Sequence, residues 1–507
     1  MNIFAIAVNI HDHNWYDGNL HYQAERYTRF KHNLNPKNPQ DPTLSRIFFA
    51  EHFVPNYESA KHNNTEFCFT ISNLGYKFVS DLIEKTVSDT DFLDFKPNNL
   101  WDYLRKPDYY YIDHHQSHAA YAFLTSGFSE SDILAIDGRG WNYNCIFVNR
   151  HGTITDLSDK ISIGGLWNRI AQDLGLGYLG AGKVMGLAGY GNYANSVANV
   201  IQNYLKNPNH KLTENDKKVI QERKKSDVAF TLQSETERLV KEQVFPLQTS
   251  DNLCIAGGVA YNGYVNELLC QYYKKVHIPP AVGDEGQALG TYMHANFVLN
   301  SNVDKPSVYS GAEYDIDTRL FDEYDWQYCG TEQLVKKVSA AISKGELVAW
   351  YQGRSESGNR ALGNRSILAD PRNSDTKDII NHTIKKREDF RPFAPAVLEN
   401  YADDFFDIYS ASPYMSRIIR VVSDKIPGVT HVDGTARVQT VSAKENHLFY
   451  RLINAFYQET GIPLVLNTSF NCQEPIVESP QEAINTFQKT NLNILVIGHY
   501  VIRKNHD

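Results

Sequence analysis

The sequence predicts an α/β protein built as two units, and three observations lead there. From the N-terminus to about residue 300, short apolar runs that close in glycine turns or single polar residues alternate with longer helical patterns, as in layered strands and helices. Between about Asn296 and Asp325 the periodicity fades, and Pro306, Gly311 and several Asp and Ser collect there. A chain of 507 residues also exceeds the roughly 100 to 250 residues of one domain, so the break is read as the boundary between a unit 1–310 and a unit 325–507.

Taken in order, Asn2-Ile3-Phe4-Ala5-Ile6-Ala7-Val8 reads as a first buried strand with His11-Asp12 directly after it, where substrates bind in many α/β proteins. The run Ile133-Leu134-Ala135-Ile136 reads as a second buried strand that delivers Asp137 at its tip. Residues 207–225 are polar and charged, suited to a solvated helix or loop without chemistry. Asn252-Leu253-Cys254-Ile255-Ala256-Gly257-Gly258 is the clearest strand-to-turn unit. The second unit opens with a helical pattern over 333–343, a strand at 347–351 and another at 463–467. No internal repeat or low-complexity tract is visible in the sequence.

Hydrophobic content of 42% and charged content of 21% are those of an ordinary globular protein, and no apolar run approaches the roughly 20 residues of a membrane span. The N-terminal strand lacks a basic leader, and Cys68, Cys145, Cys254, Cys270, Cys329 and Cys472 form no CxxC pair, so a reducing cytoplasm is expected. A net charge of −9 gives no global attraction to nucleic acid, although a local basic groove is compatible with it.

The densest chemistry lies in Asp113-His114-His115-Gln116-Ser117-His118. On a helix, His114 and His118 project from one face and can share one divalent ion, and with Asp137 they suit iron or zinc. Eighteen histidines will also produce such spacings by chance, so the glycine-flanked acid in Val282-Gly283-Asp284-Glu285-Gly286 matters as a fourth ligand. The turns Gly182-Lys183-Val184-Met185-Gly186 and Gly257-Gly258-Val259-Ala260-Tyr261-Asn262 can bring backbone N–H groups to phosphates, although close helix packing uses glycine in the same way. Beside a metal set they suggest ATP. His11 could act as a general base or be a solvated loop histidine. In the second unit Arg354, Arg360, Arg365, Arg372, Lys385, Lys386, Arg387, Arg391 and Arg437 are dispersed among glycines, asparagines and prolines, a pattern suited to a pocket for a small doubly charged anion. Asn467-Thr468-Ser469-Phe470-Asn471 adds uncharged donors for an amide-sized group.

With these residues in view, the chain resembles the ATP-dependent O-carbamoyltransferases of the nodulation-factor and antibiotic-tailoring type along most of its length. The segments 24–32, 182–187, 363–372 (Gly363-Asn364-Arg365-Ser366-Ile367-Leu368-Ala369-Asp370-Pro371-Arg372), 390–397, 433–439 and 467–471 look like that family's signatures in their expected order. The resemblance implies, for 1–310, an actin/sugar-kinase-like domain of the threonylcarbamoyl-transferase (ASKHA) type that transfers the carbamoyl group. For 325–507 it implies a YrdC-like α/β domain that converts carbamoyl phosphate and ATP to carbamoyl-adenylate, with phosphate and pyrophosphate released. It further implies that His114, His118, Asp137 and Asp284 hold Fe(2+) or another divalent metal, with His11 as base. Lys183, Gly257, Gly258 and Asn262 would contact nucleotide, and Arg365, Lys385, Arg391, Arg437 and Asn467 would bind carbamoyl phosphate.

The chain departs from that pattern at Asn359, where proline is usual before Arg360, at Gly189, again in place of proline, and in a shortened loop after Asn471. His13-Asn14-Trp15 replace small residues after His11-Asp12, which is expected to alter the acceptor pocket. The expected acceptor is a small molecule bearing a hydroxyl: a sugar, a natural product or a hydroxymethyl-pyrimidine nucleotide. DNA as acceptor and a homodimer stay open, and no membrane partner is expected. Two rival functions are a tRNA threonylcarbamoyladenosine-type modification enzyme and a non-catalytic nucleotide-binding scaffold.

Overall fold

The structure, a computed structural model, describes residues 2–8, 13–16, 18–23, 26, 65–71, 109–138, 144–177, 180–207, 211–301 and 305–504. His11 and most of the segment 24–32 lie outside them. The described chain is mixed α/β and falls into two compact units, one of Met1–Leu166, Leu239–Tyr261 and Tyr273–Gly311, the other of Trp167–Arg238, Asn262–Tyr272 and Ala312–Asp507. The helices drawn from 167–238 and 262–272 thus join the C-terminal part of the chain, and the last crossing falls in the segment where sequence periodicity fades.

Among the described residues, the first unit contains two five-stranded sheets. One orders β3 (His21–Gln23), β2 (His13–Tyr16), β1 (Asn2–Val8), β4 (Thr65–Ile71) and β5 (Tyr109–Tyr111). The other orders β8 (Ile154–Asp156), β7 (Cys145–Val148), β6 (Asp132–Ile136), β9 (Asn252–Ala256) and β10 (Lys275–His277). Polarity repeats as well as order. In each sheet the first three strands run antiparallel and the last two join in parallel. Parallel neighbours need a crossover connection, and β6 and β9 are apolar nearly throughout, as strands covered on both faces are.

The helix His114–Ser126 packs on β6 and β9, and the helix Gln287–Asn300 packs on β1, β4 and the first helix. Both are buried on more than one side, which explains why neither shows a narrow apolar stripe in the sequence. Their close approach needs Gly290, because a Cβ there would stand 2.2 Å from the Ser117 carbonyl oxygen. Two hydrogen bonds then lock the pair: Ser117 Oγ donates to the Gln287 carbonyl at 2.9 Å, and Gln287 Nε2 donates to the His114 carbonyl at 3.1 Å.

Among the described residues, the second unit holds one nine-stranded mixed sheet: β11 (Asp325–Tyr328), β19 (Tyr500–Arg503), β18 (Ile494–Ile497), β12 (Val348–Tyr351), β13 (Arg365–Ala369), β17 (Leu464–Ser469), β14 (Ala394–Leu398), β16 (Thr435–Val441) and β15 (Arg417–Arg420) in spatial order. The helices Thr331–Ser343 and His447–Thr460 pack together over a single large apolar core. The polar stretch 207–225 includes the helix Glu214–Gln221, started by a capping box between Thr213 and Asp216. No described helix is long and apolar enough to cross a membrane.

The edge strand β15 is covered by the helix Gly263–Tyr272. Gly263 comes so close to Ile418 that a Cβ would meet its side chain at 2.6 Å, and Arg417 Nε donates to Glu267 Oε2 at 2.8 Å with both residues buried. Removing one member of a buried ion pair strands the other charge, at a typical cost of about 3–5 kcal/mol. Arg417→Ala is therefore expected to lower the urea midpoint markedly, while Arg417→Met with Glu267→Met recovers much of the loss. Equal destabilisation by the single and double variants would show that the pair does not anchor this helix.

Candidate active site

Asp113 starts the helix His114–Ser126 by accepting the His115 N–H at 2.9 Å, and Gly127 ends it in the left-handed region at φ +76°. That start fixes His114 and His118 one turn apart on one face. Both are buried, and their rings stand 4.9 Å apart and nearly perpendicular. Asp137 follows β6 directly, and Asp284 opens the short turn Asp284–Gly286 before the helix Gln287–Asn300.

The four side chains converge. Asp137 Oδ2 lies 3.0 Å from His114 Nε2 and 3.3 Å from His118 Nε2, and Asp284 Oδ1 lies 3.3 and 3.5 Å from the same atoms. One ligand atom from each falls within 4.8 Å of all the others. Ligands about 2.1 Å from a shared centre stand about 3.0–3.4 Å apart along tetrahedral or octahedral edges, so the spacing fits a divalent ion, as does the mixed N/O donor set. The other oxygen of Asp137 is held away from the imidazoles by the N–H groups of Gly138 at 2.6 Å and Gly258 at 3.2 Å.

Glycine makes this possible at two places. Gly257 adopts φ +93°, and a Cβ there would stand 2.2 Å from the Ile136 carbonyl oxygen. A Cβ on Gly164 would lie 2.6 Å from the Asp137 carbonyl oxygen. Gly257 and Gly258 thus sit against the strand tip that carries Asp137. Gly164 was not singled out in the sequence, although the pair Gly164-Gly165 was a usable signal.

Electrostatics follow from the same contacts. Burial alone would raise the Asp137 carboxyl, but hydrogen bonds with His114 and His118 hold it well below the carboxylate range. Burial would lower His118, yet hydrogen bonds and charge from Asp137 and Asp284 pull it up to about 9. Burial and the Asp137 charge raise Asp284. The adjacent His115, buried and beside His114, is depressed to about 3 and stays neutral.

In the second unit Lys385 ends a π-helical turn, Ile380–Lys385, and is buried, while its neighbour Lys386 is exposed with φ +46°. Its ammonium donates to Asn471 Oδ1 at 2.6 Å, the Asn471 carbonyl at 3.0 Å, Ser469 Oγ at 3.1 Å and the Ser469 carbonyl. Asn467, also buried, donates to Gln439 Oε1 at 2.8 Å and the Ala361 carbonyl at 3.2 Å. Arg437 donates to the Met415 carbonyl at 2.9 Å and reaches Met185 Sδ at 3.6 Å. Burial, then the charge of Arg360, push Arg437 well below the guanidinium range. Burial and Arg391 bring Arg387 down to about 9, and burial lowers Arg391, which lies 3.8 Å from Glu388.

Other expected contact residues have partners within the protein. Arg365, wholly buried, stacks on Tyr351 at 3.6 Å and donates to the carbonyls of Gln352, Gly353, Asn364 and Glu478. Lys183, on the helix Ala181–Ala188, pairs with Glu388 at 2.8 Å within the second unit. Asn262 caps the helix Gly263–Tyr272 by accepting the N–H groups of Tyr264 and Val265. Glu356, missed in the sequence, collects the N–H groups of Leu362, Asn364 and Arg365 on one oxygen and shapes the loop before β13.

Comparison with known proteins places the chain in a class. The family descriptions Carbamoyltransferase N-terminus and Carbamoyltransferase C-terminus match residues 49–293 and 339–504. The chain belongs to the carbamoyltransferase family, whose members are transferase enzymes. Nodulation protein NolO of Bradyrhizobium diazoefficiens is 36% identical over 436 residues, covering 78% of this chain and 79% of that protein. Nodulation protein NolNO of Sinorhizobium fredii is 36% identical over 435 residues, 78% of this chain but only 64% of its own length. The 3'-hydroxymethylcephem-O-carbamoyltransferase of Amycolatopsis lactamdurans is 35% identical over 341 residues, 63% of this chain and 64% of that protein. Among solved structures, the activator of 2-hydroxyisocaproyl-CoA dehydratase from Clostridium difficile superposes with a TM-score of 0.34 at 11% identity over 60% of this chain and 99% of that chain, a likeness too slight to bear on function.

The raised His118 predicts a pH dependence for the metal-free protein. Its folded value of about 9 exceeds the ordinary 6.5, so its contribution to stability is complete below pH 6.5 and is lost as pH rises through 9. An incoming ion must displace that proton. Calorimetric titration with zinc at pH 7 in buffers of different ionisation enthalpy is expected to show proton release, with affinity rising toward pH 9. Binding without proton release would contradict a protonated His118.

Proposed function

We propose that the protein is an O-carbamoyltransferase that forms carbamoyl-adenylate from carbamoyl phosphate and ATP and passes the carbamoyl group to a hydroxyl. The observation that carries the reading is the convergence of His114, His118, Asp137 and Asp284 in the first unit. Membership of the carbamoyltransferase family supplies the reaction class. The repeated strand order supports an actin/sugar-kinase-like first unit, and the nine-stranded mixed sheet is compatible with a YrdC-like second one. ATP is the nucleotide of this reading, and Fe(2+) suits the two-imidazole, two-carboxylate donor set. A bound ion would supply Lewis acidity and a fixed positive charge for a nucleotide phosphate.

The chain's own residues do the rest. Arg387, Arg391 and Arg437 are half-buried cations whose charged forms are disfavoured by burial or by a neighbouring guanidinium, and Lys385 is a buried one, so a bound dianion would suit them. Hydrolysis of carbamoyl phosphate in such a site yields carbamate and phosphate. Attack of a carbamate oxygen on the α-phosphorus of ATP forms the adenylate and releases pyrophosphate. The acceptor hydroxyl then attacks the carbamoyl carbon, its proton goes to a base, for which His11 is the sequence candidate, and AMP leaves. The relative named for a hydroxymethylcephem supports a hydroxymethyl acceptor, on a natural product or a hydroxymethyl-pyrimidine nucleotide.

The test is to supply ATP, iron(II) and isotopically labelled carbamoyl phosphate without an acceptor and to look for carbamoyl-adenylate and pyrophosphate. Arg437→Ala is expected to slow adenylate formation by about 100-fold or more while sparing transfer from supplied adenylate, and His118→Ala to do the reverse. Absence of adenylate, with ATP bound and the metal loaded, counts against the reading, and equal loss of both partial reactions in either variant would refute the division of labour.

A further inference from the structure

We propose that Asn14 is a positioning residue for Asp284, a role that rests on reading the four converging side chains as a metal site. Asn14 lies on β2, in register with Ala7 of β1 and Gln23 of β3, and is 1% exposed. Its side chain leaves the sheet and brackets the turn that carries Asp284. Asn14 Nδ2 donates to the Asp284 carbonyl at 2.9 Å, and Asn14 Oδ1 accepts the Ala288 N–H at 2.9 Å. The partners fix the amide's orientation, because a carbonyl can only accept and a peptide N–H can only donate.

The two bonds do different things. Ala288 lies in the first turn of the helix Gln287–Asn300, where N–H groups lack intrahelical acceptors, so Asn14 supplies one. The bond to the Asp284 carbonyl holds the backbone from which the ligand side chain springs. Gly286, at the end of the same turn, presses on Ala281, where a Cβ would meet the carbonyl oxygen at 1.9 Å. Asp137 is held through its own carboxylate by Gly138 and Gly258, whereas Asn14 acts on Asp284 through its main chain. The residues at 13–15 were expected to reshape an acceptor pocket. Asn14 is turned inward, and Trp15, also buried, stacks on Tyr22 with ring centroids 5.2 Å apart.

Outer partners of metal ligands are worth about 10–100-fold in metal affinity. The experiment is cobalt(II) titration of the metal-free full chain, read by equilibrium dialysis and by the visible absorption of the bound ion, for the unsubstituted protein, Asn14→Leu and Asn14→Ala. Leucine nearly matches the shape of asparagine and makes neither bond, and alanine removes the shape as well. Both are expected to bind cobalt at least tenfold more weakly with a changed absorption spectrum. Unchanged affinity and spectrum in folded variants, even with a lowered melting temperature, would leave Asn14 a fold anchor only and overturn the proposal. Weakening by alanine but not by leucine would overturn it too, by assigning the effect to a cavity. If Asn14→Leu does not fold, Asn14→Ser takes its place under the same criteria. Failure of the unsubstituted protein to bind cobalt would be visible before any variant is compared, and would remove the metal reading together with the proposal.

Discussion

Two imidazoles and two carboxylates share one largely buried point, and the first unit is arranged around that constraint. Unpaired, each such group would lose several kcal/mol of hydration on burial, so they tolerate the site only by facing one another or an ion. Facing one another demands backbone precision from outside. Asp113 sets where the helix begins, Gly257 and Gly164 let main chains close on the strand tip, and Gly290 lets the helix that follows Asp284 reach the helix that carries the histidines. None of these residues is a ligand.

The second unit solves the opposite problem. There Lys385 is buried with neutral oxygens as hydrogen-bond partners, which do not cancel its charge. Lys385 is surrounded by carbonyl, hydroxyl and amide oxygens, and Arg437 is disfavoured by burial and by Arg360. Under the proposed reading, cations held in this way take up a small anion. Arg365 shows the contrast. Its guanidinium is consumed by carbonyls and an aromatic face, so its work in this structure is to hold the loops at 352–353 and 478 against β13.

The strands and the histidine–carboxylate cluster were largely legible because their signals are local. An apolar run ending in Asp137, and a histidine pair at helical spacing, need no knowledge of what lies next to them. Asp284 was legible through its flanking glycines. What escaped was non-local: Asn14 holds a turn 270 residues away, and Gly164 matters only because Asp137 folds back over it. The glycine-rich segment containing Lys183 looked like part of the first unit by position, yet its helix packs with Pro392 and His431 in the second, a pairing that no spacing rule could reveal. The repeat of the two sheets was invisible for the same reason, since it resides in strand order and polarity.

That repeat explains where the cluster sits. In a sheet whose first and fourth strands run parallel, their carboxyl ends lie side by side, and the turns leaving them open a crevice. In the second sheet those ends are Asp137 after β6 and Gly257-Gly258 after β9, and the Gly258 N–H on the Asp137 carboxylate is the direct product of their parallel pairing. Antiparallel pairing at this point would carry the glycine turn to the far end of the sheet. The polarity of one strand pair therefore supplies one of the two N–H groups that orient the carboxylate, the other being that of Gly138, and the histidines on the neighbouring helix meet the oxygen that those two leave.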